Sequence, residues 1–326
     1  MTTPHQWRLA ITEGLHKGIR GTLWMLKILV PCSLLTFLID TSGLLGQMDY
    51  VLAPAMGLLG LPSEAALPLG VGLLAGIYGA VAALAVLDLG MTATTLVAVF
   101  LLISHSLIQE GIVQARSGLP FFKATLVRLA ASVACVVGLS RLLPKDMGLN
   151  PSIASLAPAA EPFGSRFQDW LGDTGILCVQ ILVIITAMMI VLELLRAARI
   201  IPRLARILRP ILWLMGLPPG VGMLWLTAAV FGLSYGAAVI VEETRNGAFA
   251  KEDIKRLQLS IGINHALIED PAIFLALGIP AIWLWGPRLV AALLAVHLYR
   301  LWHFGRRRRR SHGTKRTVTD PAGSGG

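Results

Sequence analysis

The block His105-Ser-Leu-Ile-Gln109-Glu110 returns 160 residues later as His265-Ala-Leu-Ile-Glu269-Asp270. At the same offset Gly118 and Pro120 return as Gly278 and Pro280, and Arg128-Leu129 returns as Arg288-Leu289. Between 103–129 and 263–289, eight of 27 positions are identical, where roughly two would match by chance in so biased a composition. The matches include His, Gly, Pro and Arg, which two unrelated apolar stretches have no reason to share. The duplication continues upstream. Pro54-x5-Gly60-Leu61-Pro62 recurs as Pro210-x5-Gly216-Leu217-Pro218, and Tyr78-Gly79-Ala80 as Tyr235-Gly236-Ala237. Ile28-Leu29-Val30 recurs as Ile181-Leu182-Val183, which sets Asp40 opposite Glu193. The chain reads as an internal repeat.

What surrounds the repeat decides its solvent. Hydrophobic residues make up 55% of the 326 and charged residues 14%, against about 25% charged in soluble domains. A soluble protein this apolar could not cover its own surface. Strong apolar segments lie near 21–39, 66–87, 91–108, 120–143, 174–195, 219–241, 257–277 and 279–302, most of them reaching the ~20 residues a helix needs to span a bilayer. An all-α polytopic membrane protein follows, and a cytosolic enzyme or a secreted disulfide scaffold is excluded. Cys32, Cys135 and Cys178 all sit in apolar runs and are expected to be free thiols. The first 20 residues are mixed and polar, which does not fit a cleavable signal.

The net charge of +10 is a topology signal and not a nucleic-acid footprint. Arg306 to Arg310, Lys315 and Arg316 follow the last apolar segment, and Arg8, Lys17, Arg20 and Lys27 flank the first. The positive-inside rule then puts both termini in the cytoplasm of an inner-membrane protein. It also puts the end of segment 174–195 inside, because Arg196, Arg199, Arg203 and Arg206 follow it. The first half therefore runs inside to outside and the second the reverse, an inverted-topology repeat with an odd number of crossings per half. Each half has four strong segments, so one must fail to cross. The glycine-interrupted 66–87 and 219–241 are the candidates, as re-entrant or broken hairpins; the same glycines also suit close helix packing. The expected plan is six crossings and two hairpins. Residues 1–20 form a cytoplasmic lead, 21–144 and 174–302 the two repeats, 145–173 an extracytoplasmic linker and 303–326 a basic disordered tail. Residues 199–216 place arginines on one helical face, as an amphipathic surface helix would.

Ionisable residues in apolar segments are costly and become functional candidates. They are Asp88, His105, Glu110, Glu193, Glu242, Glu243, His265, Glu269 and Asp270, with Arg128 and Arg288 as charge partners. His265 and Glu269 stand i, i+4 and share a face if their helix is continuous. A histidine with a carboxylate can pass a proton or ligate a divalent metal. Asn264 beside His265, and Ser234 with Tyr235 beside Gly236, can contact a polar solute at a helix break. Glu242 and Glu243 stand at a segment end, as a pore mouth or as a solvated terminus. Motifs for phosphate binding, for a nucleophilic serine, for a zinc protease or for a Cys pair are absent. Each His–acid pair lacks a nucleophile or a full metal set, so no enzyme and no cofactor are expected.

The HSLIQE and HALIED blocks, together with Leu233 to Glu243 (LSYGAAVIVEE), resemble the Gate or nucleoside-recognition domain family. That family includes the spore-maturation A and B membrane proteins, the pore part of Feo-type ferrous-iron transporters and part of concentrative nucleoside transporters. The resemblance covers about residues 20–302 as two Gate-like halves and implies a pore-and-gate unit with inverted symmetry. The chain differs from the iron transporters in having no GTP-binding domain and in placing Ser104 and Asn264, not cysteine, before the histidines. The expected function is a permease for a small polar solute or cation, with His105, Glu110, Ser234, Tyr235, Asn264, His265, Glu269 and Asp270 at its centre. Its coupling ion would be a proton or sodium, and a divalent cation is favoured if the two histidines converge. The alternative is a scaffold without transport, like the spore-maturation proteins. Partners are membrane lipid and, for either reading, a second copy or another membrane protein.

Overall fold

The computed structural model describes residues 4–87, 89–144, 162–198, 206–232, 240–241 and 249–314. Among them there is no strand: the fold is all-α. In the first half the helices are α1 (Pro4–Thr41), α2 (Leu44–Leu59), α3 (Ala66–Ala75), α4 (Ile77–Val86), α5 (Gly90–Ser104), α6 (Leu107–Arg116) and α7 (Phe121–Leu139). The second half has α8 (Phe163–Ala197), α9 (Arg209–Leu214), α10 (Gly222–Phe231), α11 (Lys251–Ile263), α12 (Glu269–Ala276) and α13 (Ala281–Thr314).

Among the described residues, five stretches are long and apolar enough to cross a bilayer: His5–Thr41, Gly90–Arg116, Phe121–Leu139, Phe163–Ala197 and Ala281–Phe304. A sixth is possible if the pair Val51–Leu59 and Ser63–Ala75, bent by 87°, counts as one span. Their outer faces carry what lipid requires. Leu23, Leu35, Val179, Val183, Leu126, Val290, Leu294 and Leu298 are all exposed, an apolar surface that water would not tolerate at this extent. The expected crossing 257–277 is not among the five. It falls on α11 and α12, helices of 13 and 8 residues separated by the break at 264–268, neither of them long enough to span by itself.

The two halves run in opposite directions. Along α1 and α8, Lys17 pairs with Glu193 at 3.0 Å, Ser33 meets Thr174 at 3.3 Å and Asp40 pairs with Arg166 at 2.9 Å. Rising numbers on one helix meet falling numbers on the other, so the leading helices of the two repeats are antiparallel. Their close approach has a sequence cause. A Cβ on Gly14 would stand 2.5 Å from the Ile190 Cα, and one on Gly18 would stand 2.6 Å from the Thr186 Cα. Gly14-x3-Gly18 is the small-residue spacing that lets helix backbones touch. The broken helices α5–α6 and α11–α12 are likewise opposed: Gln114 and Gly118 meet Gln258 and Ile254, while Gly278 lies against Met91 at the other end.

Segment 66–87 is a helical hairpin, as expected. α3 and α4 fold back on each other at Gly76, whose φ of +99° no other residue adopts cheaply. Gly72 faces Ala80 and Gly79 faces Val71 across the tip. In the matching segment 219–241, α10 is followed by Gly232 with φ +83°, and residues 233–239 lie outside the described residues.

Several boundaries differ from the sequence reading. α1 begins at Pro4, so most of the expected lead 1–20 is already helix, held by the Lys17–Glu13 pair one turn apart. α8 begins at Phe163, inside the expected linker, with Arg166 paired to Asp40. α13 continues to Thr314, beyond 302. Of the proposed amphipathic stretch, residues 206–216 are described and include α9, while Arg199 and Arg203 lie outside.

Candidate polar centre between the repeats

Each broken helix stops at the repeated block. α5 ends at Ser104 and α11 at Ile263, and the residues that follow turn the chain before α6 and α12 resume. Ser106 and Ala266, the residues after the two histidines, have φ of 48° and 44°, a left-handed conformation that costs a non-glycine residue about 1 kcal/mol. The break frees backbone groups that must find partners in a dry interior. The Ser106 amide donates to the Gly72 carbonyl of the hairpin at 3.0 Å. The Ala266 and Leu267 amides donate to the Ala228 and Ala229 carbonyls of α10.

The arginines satisfy the other side of the break. Arg128 donates through Nε to the Ile103 carbonyl at 2.9 Å and through a terminal nitrogen to the His105 carbonyl. Arg288 makes the same two bonds to Ile263 and His265. Both are fully buried. A guanidinium on the carbonyl end of a half-helix also opposes its negative dipole. Arg128 pairs with Glu110 as expected. For Arg288 no carboxylate lies within 4.0 Å among the described residues, which do not include Glu242 and Glu243, and the bonds it makes there cap the backbone.

The two breaks face each other. The rings of His105 and His265 are 5.1 Å apart between centroids. Both Nε2 atoms lie 3.1 Å from Glu110 Oε1, and His105 Nε2 lies 3.7 Å from Asp270 Oδ2. All four residues are buried. Each Nδ1 is committed to a carbonyl of its own helix, Leu101 at 2.8 Å and Ile261 at 3.1 Å. Asn264, with 0% exposure, has neither amide atom hydrogen-bonded among the described residues, and Asp270 Oδ2 is also without such a partner.

Of the residues singled out in the sequence, His105, Glu110, His265 and Asp270 therefore converge, with Asn264 beside them. Glu269 does not join them. Because the helix stops before residue 269, the expected shared face of His265 and Glu269 does not form. Glu269 instead accepts a 2.6 Å hydrogen bond from Tyr78, two residues past the hairpin tip. Ser234, Tyr235, Glu242, Glu243 and Asp88 lie outside the described residues. Sequence reasoning passed over Tyr78, although its repeat with Tyr235 marked it. It also passed over Gln114, Ser117 and Gln258, which bridge the halves at the end of α6: Gln114 donates to the Gln258 carbonyl and Gln258 to Ser117 Oγ, each at 2.8 Å. Gln258 within the apolar segment 257–277 was the available signal.

Comparison with known proteins gives one informative relative. Over 295 residues the chain is 30% identical to the Bacillus subtilis (strain 168) protein named "Uncharacterized membrane protein YvoD", covering 89% of this chain and 95% of that protein. The chain belongs to the YvoD family of membrane proteins. No family profile matches it, and no solved structure matches it. For this YvoD-family chain the membrane setting explains the polar centre: buried arginines and carboxylates, costly in lipid, lie inside the helix bundle and satisfy one another or the backbone.

Proposed function

We propose that this protein is an inner-membrane permease of the Gate type, with both termini in the cytoplasm, moving a small polar solute or cation through the centre between its repeats. One observation carries the reading: in each half a helix breaks at a buried histidine, and the two breaks meet. Broken helices facing each other across an inverted repeat are how secondary transporters build a site near the bilayer midplane. The Asn264 amide and Asp270 Oδ2, without hydrogen-bond partners among the described residues, support a ligand at that point, because buried polar atoms are rarely left unpaired. The likeness of the HSLIQE and HALIED blocks to the Gate family points the same way. Arg128 pairs with Glu110 and Asp270 adds a second carboxylate beside His105, a balance that suits a coupling proton or sodium ion. The reading makes the protein a transporter and not an enzyme.

A scaffold without transport is the second reading. It is favoured by Glu110, whose carboxylate is enclosed by Arg128, His105 and His265. Flux decides between them. Purified protein in liposomes is offered radiolabelled nucleosides, Mn2+ and Zn2+. The transport reading expects uptake of at least one, lost in His265→Gln and Glu110→Gln. No uptake of any, or uptake unchanged in both variants, would overturn it.

A further inference from the structure

We infer that the polar centre binds a divalent transition-metal cation, held by Nε2 of His105, Nε2 of His265 and a carboxylate oxygen of Asp270. The ion is cargo on the transport reading above, on which this assignment rests, but its binding is measured apart from flux.

The ligand atoms of these three buried residues lie within 4.8 Å of one another. Their hydrogen bonds set the chemistry. A carbonyl oxygen only accepts, so the bonds to Leu101 and Ile261 place a proton on each Nδ1. On a neutral ring this leaves the Nε2 lone pair facing inward, the tautomer that ligates metal. Second-shell carbonyls of this sort commonly orient metal-bound histidines. Both Nε2 atoms lie 3.1 Å from Glu110 Oε1, and the other oxygen of Glu110 pairs with Arg128. Asp270 Oδ2 adds a further acceptor, with no hydrogen-bond partner among the described residues.

Acceptors thus converge with no donor among them, and a positive species completes the cluster. The symmetry is consistent with this. Glu110 and Asp270 occupy the same place in the two blocks, so each half brings one imidazole and one carboxylate to the junction. Two imidazole nitrogens with carboxylate oxygens and no thiolate suit Zn2+, Co2+, Fe2+ or Mn2+ better than Mg2+ or Ca2+, which take oxygen. Tetrahedral ligand atoms at ~2.0–2.1 Å from zinc stand about 3.4 Å apart, a contraction small enough for side-chain adjustment alone.

The test uses the full chain, purified in detergent and stripped with EDTA. Zn2+ is titrated by calorimetry and Co2+ by its visible absorption. Wild-type protein is expected to bind both, reversibly with EDTA, and to ignore Mg2+. His105→Gln, His265→Gln and Asp270→Asn should each weaken binding at least about 10-fold, while His303→Ala, outside the cluster, should not. A wild-type protein that binds neither ion overturns the assignment, as does binding unchanged in all three variants. If the variants fail to fold, X-ray absorption on the zinc-loaded wild type decides. Two imidazole ligands support the site, and an all-oxygen shell overturns it. Binding without ion uptake in liposomes keeps the metal site and overturns transport. Nucleoside uptake by a protein that binds no ion does the reverse.

Discussion

Replacing Arg128 with methionine keeps most of the side-chain volume and removes the guanidinium. Three interactions go with it: the bonds to the Ile103 and His105 carbonyls and the pair with Glu110. A buried acceptor left without its donor costs about 1–3 kcal/mol. Breaking a buried ion pair by removing one partner costs about 3–5 kcal/mol. These costs overlap, so Arg128→Met is expected to lose about 4–6 kcal/mol. Arg288→Met provides the internal control. Arg288 makes the same backbone bonds, one of them long at 3.4 Å, with no carboxylate within 4.0 Å among the described residues. Its loss is expected to cost about 2–4 kcal/mol. At roughly 2 °C per kcal/mol, the midpoints should fall by about 8–12 °C and about 4–8 °C in detergent-based thermal unfolding. Adding Glu110→Gln to Arg128→Met removes the stranded charge and should recover part of the loss. The capping account would be refuted by an Arg128→Met loss below about 1 kcal/mol. An Arg288→Met loss as large as that of Arg128→Met would refute it too, as would no recovery in the double variant.

Three further outcomes follow from the geometry. Gly76→Ala forces a φ of +99° on a residue whose Cβ would stand 2.8 Å from Ser106 Oγ, so it should destabilise by about 1–3 kcal/mol; an unchanged unfolding midpoint would argue against the tight hairpin tip. With the native cysteines Cys32, Cys135 and Cys178 replaced by serine, Ser33→Cys with Thr174→Cys should cross-link on mild oxidation, since the two hydroxyls are 3.3 Å apart. Thr22→Cys with Thr174→Cys should not, and cross-linking of that second pair would contradict antiparallel α1 and α8. Tyr78→Phe removes a hydrogen bond to the Glu269 carboxylate and should cost about 1.5–3 kcal/mol, read in the same unfolding assay; a neutral effect would mean that the contact between hairpin and α12 carries no energy.

The membrane class, the duplication, its inverted sense and the hairpin at 66–87 were all legible without coordinates. The reasons are local. Apolar run length reports the thickness of the solvent, arginine and lysine placement reports direction, and a glycine pair such as Gly76 and Gly79 marks where a helix can turn back. The identities of His105, Glu110, His265 and Asp270 were legible too, because an ionisable residue inside an apolar run stands out whatever its neighbours.

Which of those residues meet was decided only in three dimensions. The i, i+4 reasoning that joined His265 to Glu269 assumes an unbroken helix, and nothing in HALIED announces a break. α11 stops because distant groups reward stopping: the carbonyls of Ala228 and Ala229 on α10 take the freed amides, and Arg288, more than 20 residues further on, takes the freed carbonyls. Those contacts turn His265 toward Glu110 of the other half and send Glu269 to Tyr78. Neither block holds a full ligand set by itself. The grouping of His105, His265 and Asp270 exists because two antiparallel repeats bring their breaks to one point, and a backbone that satisfies its hydrogen bonds across the repeat, not along the helix, is a property of the packed molecule.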